Sequence, residues 1–256
     1  MELEINKLLN VLKLSAQIII ENGGETYRAE ETIKYICKSL NVREAEPIAT
    51  PTGLYFTISI DGEENSTVVK RIRKRTINLQ KISEVNNISR ELTSGQITLN
   101  EALLQLEYIY GNDKTQYKYS VLFGGISSAF FALMFGGGLF EFTVALFSGI
   151  MISIISKNFE ELQSYQFFSS IIAGSFLSFA AIASTHVFGM GNYNHIIVGG
   201  IMPLLPGLAM TNAIRDTIRG DLLSGIARAT EALLVASSLA AGAGAVIYAA
   251  YALGIS

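Results

Sequence analysis

The sequence predicts an α+β cytoplasmic domain over residues 1–115, followed by an all-α membrane domain over 116–256 with five transmembrane helices, the fourth broken at a PxxPG motif. Three observations predict this. Residues 1–116 hold 14 of the 19 Lys and Arg and 16 of the 22 Asp and Glu, so the longer remainder carries few charges, as expected of a bundle solvated by lipid. The charged part alternates between helical and strand periodicity, whereas the uncharged part falls into long apolar runs. One of those runs, "GGIMPLLPG", contains two prolines.

In the charged part, Ile5, Leu8, Leu9, Leu12, Ala16 and Ile19 recur at helical spacing, and Gly23-Gly24 supplies a helix stop. A second amphipathic helix is predicted over about 27–40. Cys37 sits with Ile33, Ile36 and Leu40 on its apolar face, so a core thiol is expected; a lone cysteine offers neither an intramolecular disulfide nor a multi-cysteine metal site. The period then changes. Leu54, Phe56, Ile58 and Ile60 alternate with Tyr55, Thr57 and Ser59, Asp61-Gly62 reads as a hairpin connection, and a return strand is predicted over about 66–72. "ATPTG", 49–53, reads as a turn-like entry to the strand, with Pro51 restricting its neighbours and Gly53 relieving strain. Two helices follow, one near 78–93 and one opening at "TLNE", where Thr98 and Glu101 have capping-box spacing. "GNDKTQYK" reads as a linker into the membrane. No signal peptide is expected at the amino terminus, because Glu2, Glu4, Lys7, Lys13 and Gln17 interrupt its apolar run.

Five apolar spans are expected, at about 119–135, 140–155, 167–187, 195–210 and 224–253. The cations of this part, Lys118, Lys157, Arg215, Arg219 and Arg228, all fall on one side if the amino terminus is cytoplasmic and the carboxyl terminus outside. Paired glycines and "ASSLAAGAGA" predict close packing of helices against each other or against another subunit, which leaves a homo-oligomer open. Glu141 and Glu231 lie at or inside spans and are candidates for proton coupling; Glu141 also reads as interfacial, and Glu231 also reads as a plain partner of Arg228 or Arg215. His186 and His195 lack companion ligands at metal spacing, so no metal site is expected. The net charge of -3 gives no reason to expect nucleic acid.

Pro203 and Pro206 each remove an amide donor, and Gly199, Gly200 and Gly207 loosen the chain around them, so a straight helix is not expected there. Backbone groups freed within lipid must be buried in protein or line a wet cavity, an architecture that transporters use for substrate sites. A proline kink without a ligand is the competing reading. After the break, "TNAIRDTIRGD" places Thr211, Asn212, Arg215, Asp216, Arg219 and Asp221 at the expected cytoplasmic end. On a helix, Asn212, Arg215 and Arg219 share a face and Asp216 reaches Arg219 or Arg215. Such an arginine pair either attracts a carboxylate-bearing substrate or anchors the positive-inside end. In the charged part, "NGGETYRAEET" offers Glu25, Arg28, Glu30 and Glu31 at a helix start, as a solvated helix cap or as a site. "KRIRKR", with Arg73 at its centre, is either a solvated strand end or a surface for an anionic ligand, lipid headgroups or an acidic partner.

"ENGGETYRAEETI", "ATPTGLYFTI" followed by "RIRKRTINLQKI", and above all "GGIMPLLPGLAMTNAIRDTIRGDLLSGIARATEALLVA" resemble the threonine/serine exporter family, in particular the larger component of its split two-component systems. The matching positions are Glu25, Thr26, Arg28, Glu31, Pro51, Gly53, Pro203, Pro206, Gly207, Asn212, Arg215, Asp216, Gly220 and Asp221. The resemblance implies a cell-membrane protein that exports small carboxylate-bearing metabolites, of the threonine and serine type or dicarboxylates such as succinate. It also implies a smaller multi-span partner subunit, because no fused second half follows the fifth span. Export would draw on the membrane potential or a proton gradient, since no Walker-type loop is present. No enzyme is expected, for no nucleophile, base and orienting group occur together, and no cofactor is implied. The alternative is a non-transporting membrane regulator or scaffold with a cytoplasmic ligand-binding domain.

Overall fold

The computed structural model describes residues 2–60, 65–73, 75–112, 117–160 and 166–255. The Asp61-Gly62 hairpin connection, Lys74 and residues 113–116 of the linker lie outside them. The chain forms two compact units, one of residues 1–114 with 208–229, the other of residues 115–207 with 230–256. Segment 208–229 lies within the predicted membrane half of the sequence, and it packs with the amino-terminal residues.

The first unit is built around α1 (Glu2–Glu21), whose Leu12, Ile18 and Ile19 are fully buried. Burial of each such side chain stabilises by about 1.5–3 kcal/mol. Around it lie α2 (Thr26–Ser39), α3 (Leu79–Thr93) and α4 (Leu99–Gly111), together with a sheet. Helix α4 opens with the predicted capping box: Thr98 accepts from the Glu101 amide, and Glu101 accepts from the Thr98 amide. Cys37 is buried in this core, and burial pushes its thiol up to about 12, so it stays protonated.

The sheet is antiparallel, ordered β1 (Glu44–Thr50), β2 (Gly53–Ser59), β3 (Ser66–Arg71). Leu54, Phe56 and Ile58 of β2 face the core, as their alternation predicts. Strand β1 is an addition to the sequence expectation. Its inward side is Ala45, Pro47 and Ala49, while Ile48 points outward and is exposed, so hydrophobicity does not mark it as a strand. Pro47 is tolerated because β1 is an edge. Pro51 lies in the turn between β1 and β2. Gly53 has no left-handed backbone, and a Cβ there would meet only the outer end of the exposed Tyr55 side chain, 2.8 Å from its Oη.

In the second unit, α5 (Tyr117–Met134) packs along α6 (Leu139–Glu160) and α8 (Tyr193–Ile201), while α7 (Gln166–Phe188) packs on α6 and α8. A one-turn 3-10 helix, Met202–Leu204, follows α8; Leu205 is extended, and α9 (Gly207–Ile218) begins immediately after Pro206. The predicted interruption is therefore present in the backbone. The last helix, α10 (Leu222–Ala252), runs for 31 residues.

Segments Leu139–Lys157, Phe167–Phe188 and Leu222–Ala252 are long and apolar enough to cross a membrane, and a fourth is reached if Tyr193–Leu204 and Gly207–Ile218 count as one bent span. Tyr119–Met134, the predicted first span, is an apolar helix below that length. Glycine sets the helix separations in this unit, as the small-residue density implies. A Cβ on Gly199 would lie 2.6 Å from Ala132 N and 2.7 Å from Ala132 Cβ, and one on Gly174 would lie 2.4 Å from Leu239 O.

Gly199→Val forces α8 away from the α5 backbone, which cannot yield as a side-chain tip would. We expect it to cost roughly 1–3 kcal/mol through overpacking, read as a lowered unfolding midpoint of the detergent-solubilised protein. The open position Gly244, whose Cβ would meet nothing within 4 Å, should accept Val with little change.

Candidate functional site

A polar assembly of the first unit lies where α1 stops. Gly23 takes a positive φ of 88°, a conformation glycine adopts without strain, and the Gly24 amide returns to Ile19 O at 2.9 Å. This stop leaves backbone carbonyls with no further helical turn to satisfy them. Distant segments supply the donors. The Thr76 amide reaches Glu21 O at 2.7 Å, and the Asn78 amide reaches Asn22 O at 3.1 Å. Asn212 Nδ2 donates to Gly23 O at 2.9 Å, and Arg228 Nη2 donates to Gly24 O at 2.8 Å.

Side chains extend the same seam. Glu25, the residue before α2, does not cap its own helix with its side chain; its carboxylate accepts from Arg215 Nη1 and lies 3.5 Å from Arg28 Nη1. Thr26 Oγ1 donates to Asp221 Oδ2 at 2.9 Å. Asp216 Oδ2 is 3.1 Å from Arg228 Nε, both groups being buried. Arg219 stacks over the Tyr27 ring at 3.9 Å and reaches Glu31 Oε1 at 3.2 Å, an exposed pair of small energetic weight. Gly220, at φ 91°, ends α9 so that the Asp221 amide returns to Asp216 O, and this turn brings Asp221 to Thr26. Gly225 lets α10 approach α9: a Cβ there would lie 3.0 Å from Ala213 O.

The two richest sequence motifs, some 190 residues apart, thus form one hydrogen-bonded corner. It gathers Glu25, Thr26, Arg28, Glu31, Asn212, Arg215 and Asp216. The pairings differ from those that helical spacing suggests: Asp216 meets Arg228 rather than Arg219 or Arg215, and Arg215 meets Glu25. Tyr27 is a member that local pattern gives little reason to single out, while Asp221 and Arg228, read from the sequence as part of the charged stretch, find their partners here in Thr26, Asp216 and Gly24. Thr211 is exposed on α9. Pro51, Gly53 and the exposed Arg73 belong to the sheet and its exit. Gly199, Gly200, Pro203, Pro206, Gly207, Glu141 and Glu231 belong to the second unit. There Glu141 accepts from the amides of Gly138 and Asn192, each at 2.8 Å, tying the start of α6 to the loop before α8. Glu231 is half-buried on α10.

A cleft of about 380 Å³ opens beside the corner. Leu79, Ile82 and Leu208 give it apolar walls, Ser83 and Asn86 polar ones, and Glu25, Arg28, Asn212 and Arg215 its floor of charge and amide. Burial works to raise the Glu25 carboxyl, but its backbone hydrogen bond, the bond from Arg215 and the two guanidinium charges outweigh that and hold it below the usual carboxylate range. Burial pushes the Glu30 carboxyl up, against the hydrogen bond it accepts from the Ala49 amide.

Residues 11–249 match the family described as "Putative threonine/serine exporter". The chain belongs to the threonine/serine exporter family. This is a family of membrane exporters rather than enzymes, and with its several long apolar helices the chain is a multi-pass membrane protein. It is 17% identical over 243 residues to a "Probable threonine/serine exporter" of Mycobacterium tuberculosis, covering 94% of this chain and 46% of that protein. It is 23% identical over 201 residues to a "Threonine/serine exporter" of Corynebacterium glutamicum, covering 75% of this chain and 40% of that one. The chain therefore spans less than half the length of either relative. No solved structure matches it.

Glu25→Gln keeps the size of the side chain and removes the charge that Arg215 and Arg28 surround. The Glu25 side chain is 6% exposed and its carboxyl is depressed, so its stabilising effect is fully present above the unfolded carboxyl range and is lost as pH falls through the folded value. We expect the variant to be less stable by roughly 1–3 kcal/mol near neutral pH. The gap to the wild-type protein should close as the medium is acidified below about pH 4, measured by chemical denaturation at a series of pH values.

Proposed function

We propose that this chain is a component of a secondary transporter that exports small carboxylate-bearing metabolites, threonine- and serine-type amino acids or dicarboxylates such as succinate. The family match over residues 11–249 carries this reading. The helix interrupted at Pro203 and Pro206 supports it, because such an interruption leaves backbone groups to face a substrate rather than lipid. In the proposed arrangement the membrane domain has five spans, with Tyr119–Met134 as the first and the interrupted helix as the fourth. The amino-terminal domain is cytoplasmic and the carboxyl terminus outside, in the cell membrane, as the Lys and Arg distribution favours.

The working parts follow from this. Gly199, Gly200, Pro203, Pro206 and Gly207 open the fourth helix, and Thr211 and Asn212 lie along the route beyond it. Arg215 attracts the substrate carboxylate, with Asp216 setting the local charge. Glu231 and Glu141 are the candidates for proton coupling. Glu25, Thr26, Arg28 and Glu31 engage the segment after the break, while Pro51, Gly53 and Arg73 shape the sheet and its basic exit. A smaller multi-span membrane subunit of the same family is the proposed partner.

The test is efflux of preloaded threonine, serine and succinate from cells expressing the chain with and without a candidate smaller subunit. Faster efflux of at least one of them is expected, and Arg215→Gln should reduce it by about tenfold or more at unchanged membrane insertion, consistent with losing one charge-assisted carboxylate contact. Unaltered efflux of all three compounds would remove the reading.

A further inference from the structure

The cleft beside the corner carries a charge imbalance. Its lining contains the Arg28 and Arg215 guanidinium groups and a single carboxylate, Glu25, which lies against both. The carboxylate is buried, with 6% of its side chain exposed, whereas Arg28 and Arg215 are 44% and 57% exposed. Each guanidinium is a planar fork with five N–H donors, and the two named contacts to Glu25 engage only part of that capacity. The donors left over belong to groups that open toward solvent. The apolar wall formed by Leu79 and Leu208, with Asn86 nearby, makes the space a small amphipathic recess rather than a charged surface. A volume of about 380 Å³ falls in the lower part of the range of small-molecule sites.

We propose that this cleft is a binding site for one small carboxylate, held between Arg28 and Arg215, with Glu25 as the internal carboxylate that competes for the same guanidinium groups. The site lies wholly within the unit of residues 1–114 and 208–229. It rests on the proposed reading only for the choice of ligands: cargo of an exporter would meet this unit before or during export. Two consequences follow from the charge arrangement. A ligand without an anionic group, such as an amino alcohol, offers the arginines no charge-assisted partner. Removing the Glu25 charge frees donors for the ligand, so binding tightens even though the fold loses an interaction.

Calorimetric titration of the full chain in lipid nanodiscs tests this, with L-serine, L-threonine and succinate as probes and L-threoninol as the control lacking a carboxylate. Saturable binding of at least one acid is expected and none of threoninol. Arg28→Gln should weaken binding by about tenfold or more, as loss of one charge-assisted bond implies. Glu25→Gln should tighten it by several-fold, a change that damage to the fold would not produce. Absence of saturable binding of every acid, equal binding of threoninol, or binding indifferent to Arg28→Gln would overturn the proposal. Arg28-dependent binding in a chain that supports no efflux would leave the site standing and remove the exporter reading; efflux without such binding would do the reverse.

Discussion

The carbonyl groups at the end of α1 are the constraint on which the rest of the first unit depends. A helix that stops inside a protein must find donors for its last carbonyls, because an unpaired buried carbonyl is costly. From Ile18 to Gly24 every carbonyl here has a named donor. The early ones are met locally by Asn22, Gly23 and Gly24, and those of Glu21 and Asn22 by amides leading into α3. Those of Gly23 and Gly24 are met by Asn212 and Arg228, far along the chain. A local stop signal therefore recruits α9 and the start of α10 into the amino-terminal unit.

Once Asn212 and Arg228 are fixed, the remaining charges have little freedom. Arg228 also lies against the buried Asp216, and α9 then presents Arg215 to Glu25. Glu25 is the buried member of that pair and Arg215 the exposed one. Removing Arg215 strands a desolvated carboxylate, while removing Glu25 leaves an arginine that water can still solvate. This asymmetry makes the glutamate the structural element and leaves the arginines available for an external anion.

Much of the local structure was legible in the sequence because its causes are local. The apolar stripe of α1, the alternation of β2, the capping box at Thr98 and the interruption at Pro203 and Pro206 each depend on residues within a few positions of one another. Strand β1 was not legible, since Pro47 and outward-facing Glu44 and Glu46 argue against a strand until its place at the sheet edge is known. The members of the corner were visible as motifs, but their pairing was not. Helical spacing relates Asp216 to Arg215 or Arg219, whereas the partner is Arg228, which a turn at Gly220 and the close approach at Gly225 bring alongside. Which guanidinium meets which carboxylate depends on that return of the chain, and side-chain spacing on one helix carries no information about it.

The first unit is closed by the junction of two motifs that lie about 190 residues apart in the sequence, and a cross-link across it is the most direct measurement. In a Cys37→Ala background, Glu31→Cys and Arg219→Cys place one solvent-accessible thiol on each side of the 3.2 Å ion pair that crosses it. Treatment of the membrane-embedded protein with a short bifunctional thiol reagent, followed by peptide mass spectrometry, should give one linked species joining α2 to the end of α9. Two thiols that each react fully with a monofunctional maleimide yet never link to one another would contradict the account.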